Sequence, residues 1–193
     1  MALEILRLID RKTLIAPNTK TELYNLCPGN YAVDKSHARV FFKEDYPDLS
    51  SYVGRPINFD ASISFDPNNI KASQLEATAD NRSLDLNDKK LQYRPAGPIW
   101  LDSDGYPEAL FTSLSATSTD TSNITFIDDL TLKGEAKSAA MLVTFNGGAD
   151  NLLSGYFSIG FFAAGSFELS EFGIETYTLI VGDAIKLGIQ TEF

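Results

Sequence analysis

The strongest pattern along the chain is strict alternation of apolar and polar positions. Ile57, Phe59, Ala61, Ile63 and Phe65 alternate with Asn58, Asp60, Ser62 and Ser64, and the run ends at the turn Asp66-Pro67-Asn68-Asn69. Successive side chains of a strand point to opposite faces, so this spacing predicts a strand with one buried face. The same period returns in Leu75, Ala77 and Ala79, in Ala139, Met141, Val143 and Phe145, and in Ile185, Leu187, Ile189 and Thr191. The run through Phe145 is expected to stop at Asn146-Gly147-Gly148. Helix candidates in the body are short, at Asp88 to Leu91 and near Pro107 to Leu110. Several strands, turn signals between them and few helical patterns predict an all-β sandwich or barrel.

Three stretches depart from this pattern. Residues 112–125 hold nine Ser or Thr and read as two exposed strands and their turn, since Thr favours strands and Ser favours turns. The longest uncharged run, Asn151 to Phe167, has 17 residues including three Gly. A spanning helix needs about 20 mostly apolar residues, so the run reads as a buried strand pair. Residues 1–30 mix Leu3, Leu6 and Ile9 with the turns Ala16-Pro17-Asn18 and Cys27-Pro28-Gly29-Asn30. They read as a short helix or an arm preceding a domain at 31–193.

Composition narrows the chemistry. Sixteen basic against 26 acidic residues give 193 residues a net charge of −10, which disfavours nucleic acid and anionic membranes as partners. Asp60, Asp66, Glu76 and Glu192 fall on outward phases or in turns, which puts the acid on the surface. One cysteine, Cys27, and one histidine, His37, exclude a disulfide framework and multi-cysteine zinc or iron–sulfur sites. No signal peptide or membrane span is visible. The chain as written reads as cytoplasmic, or periplasmic where a leader has been cleaved.

Several short signatures fall in a recognisable order. The segment Asp34-Lys35-Ser36-His37-Ala38-Arg39-Val40 is followed by Phe59-Asp60-Ala61 with Phe65-Asp66-Pro67, then Trp100-Leu101-Asp102 with Tyr106-Pro107 and Phe111-Thr112-Ser113. Asp129 to Gly134, Ser170-Glu171-Phe172-Gly173-Ile174 and Val181-Gly182-Asp183 complete the series. In this order the chain from 31 to 193 resembles the YceI-like family of lipid-binding barrel proteins. The resemblance implies an eight-stranded antiparallel, extended lipocalin-like barrel with short helices. It further implies a tunnel for a polyisoprenoid, an isoprenoid quinone or a fatty-acid derivative; many members are exported to the bacterial periplasm. Tyr46, Leu169, Asp128 and Pro56 depart from the family pattern, so a changed polarity is expected at the barrel mouth.

The expected function is non-enzymatic carriage or storage of an apolar small molecule, with no cofactor and no metal. By alternation, Val40, Phe42, Phe59, Ile63, Phe65, Leu75, Phe111 and Phe161 are candidate wall residues. Small residues among these aromatics either interdigitate into a solid core, making a structural or interaction module, or leave a tunnel. His37 either meets a ligand head group or steadies a turn through Asp34. Arg39 and Arg55 either meet a polar head group or solvate an edge. Trp100 reads as a plug closing the barrel. A Ser-His-acid triad would depend on His37 as its only possible base, and no nucleophile elbow accompanies it; Asp128 and Asp129, adjacent in a strand, point to opposite faces and make no acid pair. Unpaired edges, together with the family's habit, leave a homodimer open.

Overall fold

The computed structural model describes residues 19–46, 49–91, 93–118, 120–150, 155–176, 178 and 182–193. Twelve strands are formed among them: β1 (Gly29–Ala32), β2 (Arg39–Tyr46), β3 (Ser50–Pro56), β4 (Phe59–Phe65), β5 (Gln74–Asp80) and β6 (Leu84–Asp85), then β7 (Glu108–Ser113), β8 (Ala116–Ser118), β9 (Asn123–Leu132), β10 (Glu135–Asp150), β11 (Phe157–Glu168) and β12 (Ala184–Glu192). They join in the order β1-β4-β5-β7-β9-β10-β11-β12-β2-β3-β6, with β8 added to β9. Every paired neighbour is antiparallel. The sheet curls into a half-barrel whose ladder stays open. No helix among the described residues is long and apolar enough to cross a membrane.

The alternation fixes which face each strand buries. In β4, Ile63 and Phe65 are buried while Asp60, Ser62 and Ser64 are exposed. In β10, Met141, Val143 and Phe145 are buried. At one end the two flanks of the opening are tied by the chain after β1: the Val33 amide donates to the Ala61 carbonyl of β4, and the Asp34 amide to the Glu192 carbonyl of β12. Leu23, Leu26, Phe65, Ile124 and Ile159 pack this end solid.

The expected count of eight strands is corrected to twelve. Eight strands, β2, β4, β5, β7, β9, β10, β11 and β12, form the continuous wall; β3, as long as β4, extends it beyond β2, and β1, β6 and β8 are pieces of two to four residues. Backbone groups at a sheet edge are left without partners, so even turn segments pair there. Both helix candidates are corrected for a related reason. Asp88 to Leu91 is a hydrogen-bonded turn, and Glu108 begins β7, which fills the place between β5 and β9.

Residues 19–30 are built into the domain. Lys20 bridges to Gly148, Leu23 and Leu26 enter the core, and Gly29 opens β1. Leu3, Leu6, Ile9 and Ala16-Pro17-Asn18 lie outside the described residues. β10 does not end at Asn146; it continues to Asp150 with a register shift between Phe145 and Gly147. Gly147 has φ 146, and such a residue absorbs one extra position as a bulge without breaking the strand. Among the described residues the uncharged run 151–167 forms one strand where a pair was expected. It supplies most of β11 alone, since Phe157 is already paired with Asp150, and 151–154 lie outside the described residues. The Ser/Thr-rich segment forms the end of β7, then β8 and the start of β9, with Thr119 outside the described residues.

The β9–β10 hairpin turns on Lys133 and Gly134, with φ of 51 and 80. Two positive φ values at the centre of a two-residue loop match the right-handed twist of the strands it joins. A Cβ on Gly134 would stand 2.5 Å from the Tyr106 ring. Gly134→Val is therefore expected to cost about 1–3 kcal/mol through backbone strain and collision, read as a lower midpoint in urea denaturation.

Candidate functional site

The inward phases of the sheet enclose an apolar cavity of about 230 Å³. Its origin lies in the register. Ala61 of β4 stands opposite Ala77 of β5, and Ala77 opposite Phe111 of β7. Across the barrel Ala163 stands opposite Val143 and Ile189, and Gly165 opposite Met141 and Leu187. Small side chains thus meet from both sides where a solid core would need large ones. Below this level Ile63 faces Leu75, and Phe145, Phe161 and Phe193 stack with ring centroids 5.4 and 6.0 Å apart. The barrel is therefore filled at one end and hollow toward the other. A solid-core module would lack this space.

Two buried polar side chains mark the wall. Asn81, just after β5, is 3% exposed and its Nδ2 donates to the Tyr106 carbonyl. Thr191 of β12 is 8% exposed, and its Oγ1 has no hydrogen-bond partner among the described residues. Both residues line the cavity.

The structure places seven of the eight wall candidates on the cavity: Val40, Phe42, Phe59, Ile63, Leu75, Phe111 and Phe161. Phe65 has the same inward phase but lies one step past Ile63, in the packed end with Leu23 and Leu26. Alternation identifies the face of a strand, not the height along the barrel at which the hollow ends. Phe42 is held against the cavity by its cross-strand partner Gly54, where a Cβ would collide with the ring.

His37 and Arg39 do not reach the cavity. His37 Nδ1 pairs with Asp34 Oδ2 at 2.8 Å, while the Ser36 amide and hydroxyl donate to Asp34 Oδ1 at 2.9 and 2.6 Å. Hydrogen bonds from Ser36 and His37 hold the Asp34 carboxyl down at about 2, and the same Asp34 raises the His37 pKa. Asp34 thereby closes an exposed turn at the packed end. Arg39 donates to the Ala38 and Ser36 carbonyls, and Arg55 pairs with Asp85 at 3.1 Å. Trp100 is not the plug. Leu101 reaches the cavity, while the Trp100 ring faces the Arg94 guanidinium at 6.0 Å.

At the hollow end the cavity adjoins a polar vestibule of about 750 Å³, and Asn81 and Leu84 line both. Arg82, Asp85, Asp88, Lys89 and Asp104 supply its charged side chains. Near this rim β2 carries Glu44 in phase with Val40 and Phe42, between its cross-strand partners Tyr52 and Ile185. The Glu44 Oε1 atom is buried without a partner, and burial pushes the carboxyl up to about 7. Its phase was readable along Val40-Phe41-Phe42-Lys43-Glu44, but a carboxylate gave no reason to seek it inside. Asn81, Leu84 and Leu101 are rim and loop residues without periodicity to reveal them. Ile185, Leu187 and Ile189 carried a clear alternating signal.

A half-barrel hollow along its small residues and capped by a polar rim can hold an apolar chain. Comparison with known proteins agrees with that architecture: residues 31–193 match the YceI-like domain. The chain belongs to the YceI-like family. A UPF0312 protein of Vibrio cholerae serotype O1 (strain M66-2) is 31% identical over 149 residues, covering 76% of this chain and 78% of that one. A UPF0312 protein of Pseudomonas savastanoi pv. phaseolicola is 32% identical over 149 residues. The crystal structure of Burkholderia cenocepacia BcnA superposes with a TM-score of 0.73 at 25% identity, over 83% of this chain and 99% of that one. A Saccharophagus degradans structure described as a polyisoprenoid binding domain shares the fold, with a TM-score of 0.54 at 9% identity.

Several motifs of this YceI-like chain serve the frame. The Ser170 amide and hydroxyl donate to the two Asp183 carboxylate oxygens at 2.8 and 2.5 Å, tying the Ser-Glu-Phe-Gly-Ile segment to the start of β12. Val181 of the last motif lies outside the described residues. Gly173 ends a 3-10 turn in the left-handed conformation, φ 67, which favours glycine.

Proposed function

We propose that this YceI-like chain binds and carries or stores a long apolar molecule, a polyisoprenoid, an isoprenoid quinone or a fatty-acid derivative, without transforming it. The observation that carries this reading is the enclosed apolar cavity opening onto a polar vestibule. An apolar cavity of about 150 Å³ accepts a benzene ring, so the volume here suits roughly ten carbons of chain. Each CH2 moved out of water contributes about 0.8 kcal/mol. Ten of them supply about 8 kcal/mol, enough to offset much of the association cost. The fold shared with the Saccharophagus degradans polyisoprenoid binding domain supports the reading. The chain's one histidine, bonded to Asp34 away from the cavity, leaves the hollow without an imidazole base.

Organic extraction of natively purified protein, followed by mass spectrometry, is expected to release a lipid in stoichiometric amount. Protein that yields no lipid and, after stripping, takes up no isoprenoid or fatty-acid probe would overturn the proposal.

A further inference from the structure

We infer that the site selects cargo with an uncharged, hydrogen-bonding head group, such as a quinone or an alcohol, over the diphosphate of the same chain. The inference deepens the carrier reading and rests on it.

Cargo longer than about ten carbons exceeds the cavity, and we place its remainder toward the vestibule that shares Asn81 and Leu84 with it, since Phe145, Phe161 and Phe193 fill the other end. Its head then lies in one of two places. A head carried inward meets apolar side chains and the unpartnered Thr191 hydroxyl. A hydroxyl can donate to or accept from an uncharged oxygen, but nothing on that wall neutralises a phosphate, and an unpaired buried charge is strongly disfavoured. A head left at the mouth meets the vestibule. There Arg82 is already held by Asp80 at 3.0 Å, and Asp85 by Arg55 at 3.1 Å. Lys89 is the one lining cation without a carboxylate within 4.0 Å among the described residues, and it shares the lining with Asp85, Asp88 and Asp104. Asp104 and Glu108 further stabilise the charge on Arg82, so that guanidinium is engaged by acid on several sides. The whole chain carries −10, which adds a repulsive field for any approaching anion. Both orientations therefore favour a neutral head. At the junction the Asn81 carboxamide, whose Nδ2 donates to the Tyr106 carbonyl, adds dipoles and no positive charge.

The test uses the full chain stripped of lipid. Geranylgeraniol, geranylgeranyl diphosphate and a quinone with a short isoprenoid tail are titrated at low and high salt. The alcohol and the quinone are expected to bind about tenfold or more tightly than the diphosphate at low salt, with the gap narrowing as salt screens the rim. The triple variant Asp85→Asn, Asp88→Asn, Asp104→Asn is expected to strengthen diphosphate binding relative to alcohol binding at low salt, and an unchanged ratio would overturn the role given to the acidic rim. A diphosphate that binds as tightly as the alcohol overturns this inference while leaving the carrier reading standing. Binding of none of the three overturns the carrier reading, and this inference with it.

Discussion

Replacement of Ala77 by Leu is expected to weaken binding of an isoprenoid or fatty-acid probe about tenfold or more while leaving the fold almost as stable as before. Ala77 lies on the cavity wall, opposite Ala61 on one side and Phe111 on the other. Three added carbons would enter a hollow of about 230 Å³ and displace about three CH2 groups of cargo. At about 0.8 kcal/mol each, the loss approaches 2.4 kcal/mol, and each 1.4 kcal/mol is about a factor of ten in affinity. In a filled core the same change would cost about 1–3 kcal/mol of stability through overpacking. Here the side chain grows into empty space, so the expected cost is below about 1 kcal/mol, and partial filling can stabilise. Probe titration and urea denaturation of the same preparation separate the two outcomes. A variant that binds normally but unfolds early would show that the interior is closed in solution.

The second large effect concerns Glu44. Its side chain occupies an inward position between Tyr52 and Ile185, with one carboxylate oxygen buried and unpartnered. Loss of hydration disfavours the charged form and pushes the carboxyl from the usual 4.5 up to about 7. The unfolded chain therefore releases this proton near pH 4.5, while the folded chain holds it until about pH 7. Between these values the folded state binds more protons, so stability falls as pH rises, and the full penalty is present above pH 7. A shift of this size is worth about 3 kcal/mol on a fully buried group. Glu44 is half-buried, and screening by water reduces the expected cost to about 1–2 kcal/mol.

Glu44→Gln should accordingly raise Tm by several degrees at pH 8 and change it little at pH 4, measured against the unsubstituted chain at each pH. The comparison matters because Asp34, Asp45 and Asp60 have lowered pKa values from their hydrogen bonds and ion pairs. They lose stabilisation as acid protonates them, in both proteins alike. Equal gains from the substitution at pH 4 and pH 8 would rule out ionisation of Glu44 as the cause. The carboxylate also stands near Tyr52, whose hydroxyl donates to the Leu86 carbonyl at the vestibule. Glu44 thus places a titratable group close to the barrel's open end.

How far these features could be read in advance depends on the range of the interactions behind them. The faces of β4, β5 and β12 were plain in residues 59–65, 75–79 and 185–191, because period two is a local property of extended backbone; Ile57, expected on the same face as Phe59, lies before β4 and is exposed. The YceI-like motifs were also readable in order, and the structure shows Ser170 and Asp183 joined across them. His37 was readable only as a choice. Its bond to Asp34 three residues away was one of two local options, and the turn that makes it also keeps the ring away from the hollow. Phe65 had the correct phase and the wrong height. Glu44 broke the rule that inward positions are apolar.

Local pattern and composition alone were enough to establish an acidic, all-β chain, the inward phase of its principal strands and seven of the residues on the cavity wall. The hollow itself came from the tertiary structure. Ala61, Ala77, Ala163 and Gly165 belong to three strands, and only their register across the sheet brings small side chains to one level. The same holds for the rim strands, the bulge at Gly147 and the meeting of apolar cavity and charged vestibule at Asn81 and Leu84. Volume is left over where residues distant in sequence fail to fill the space between them, and one strand's pattern contains no information about what faces it.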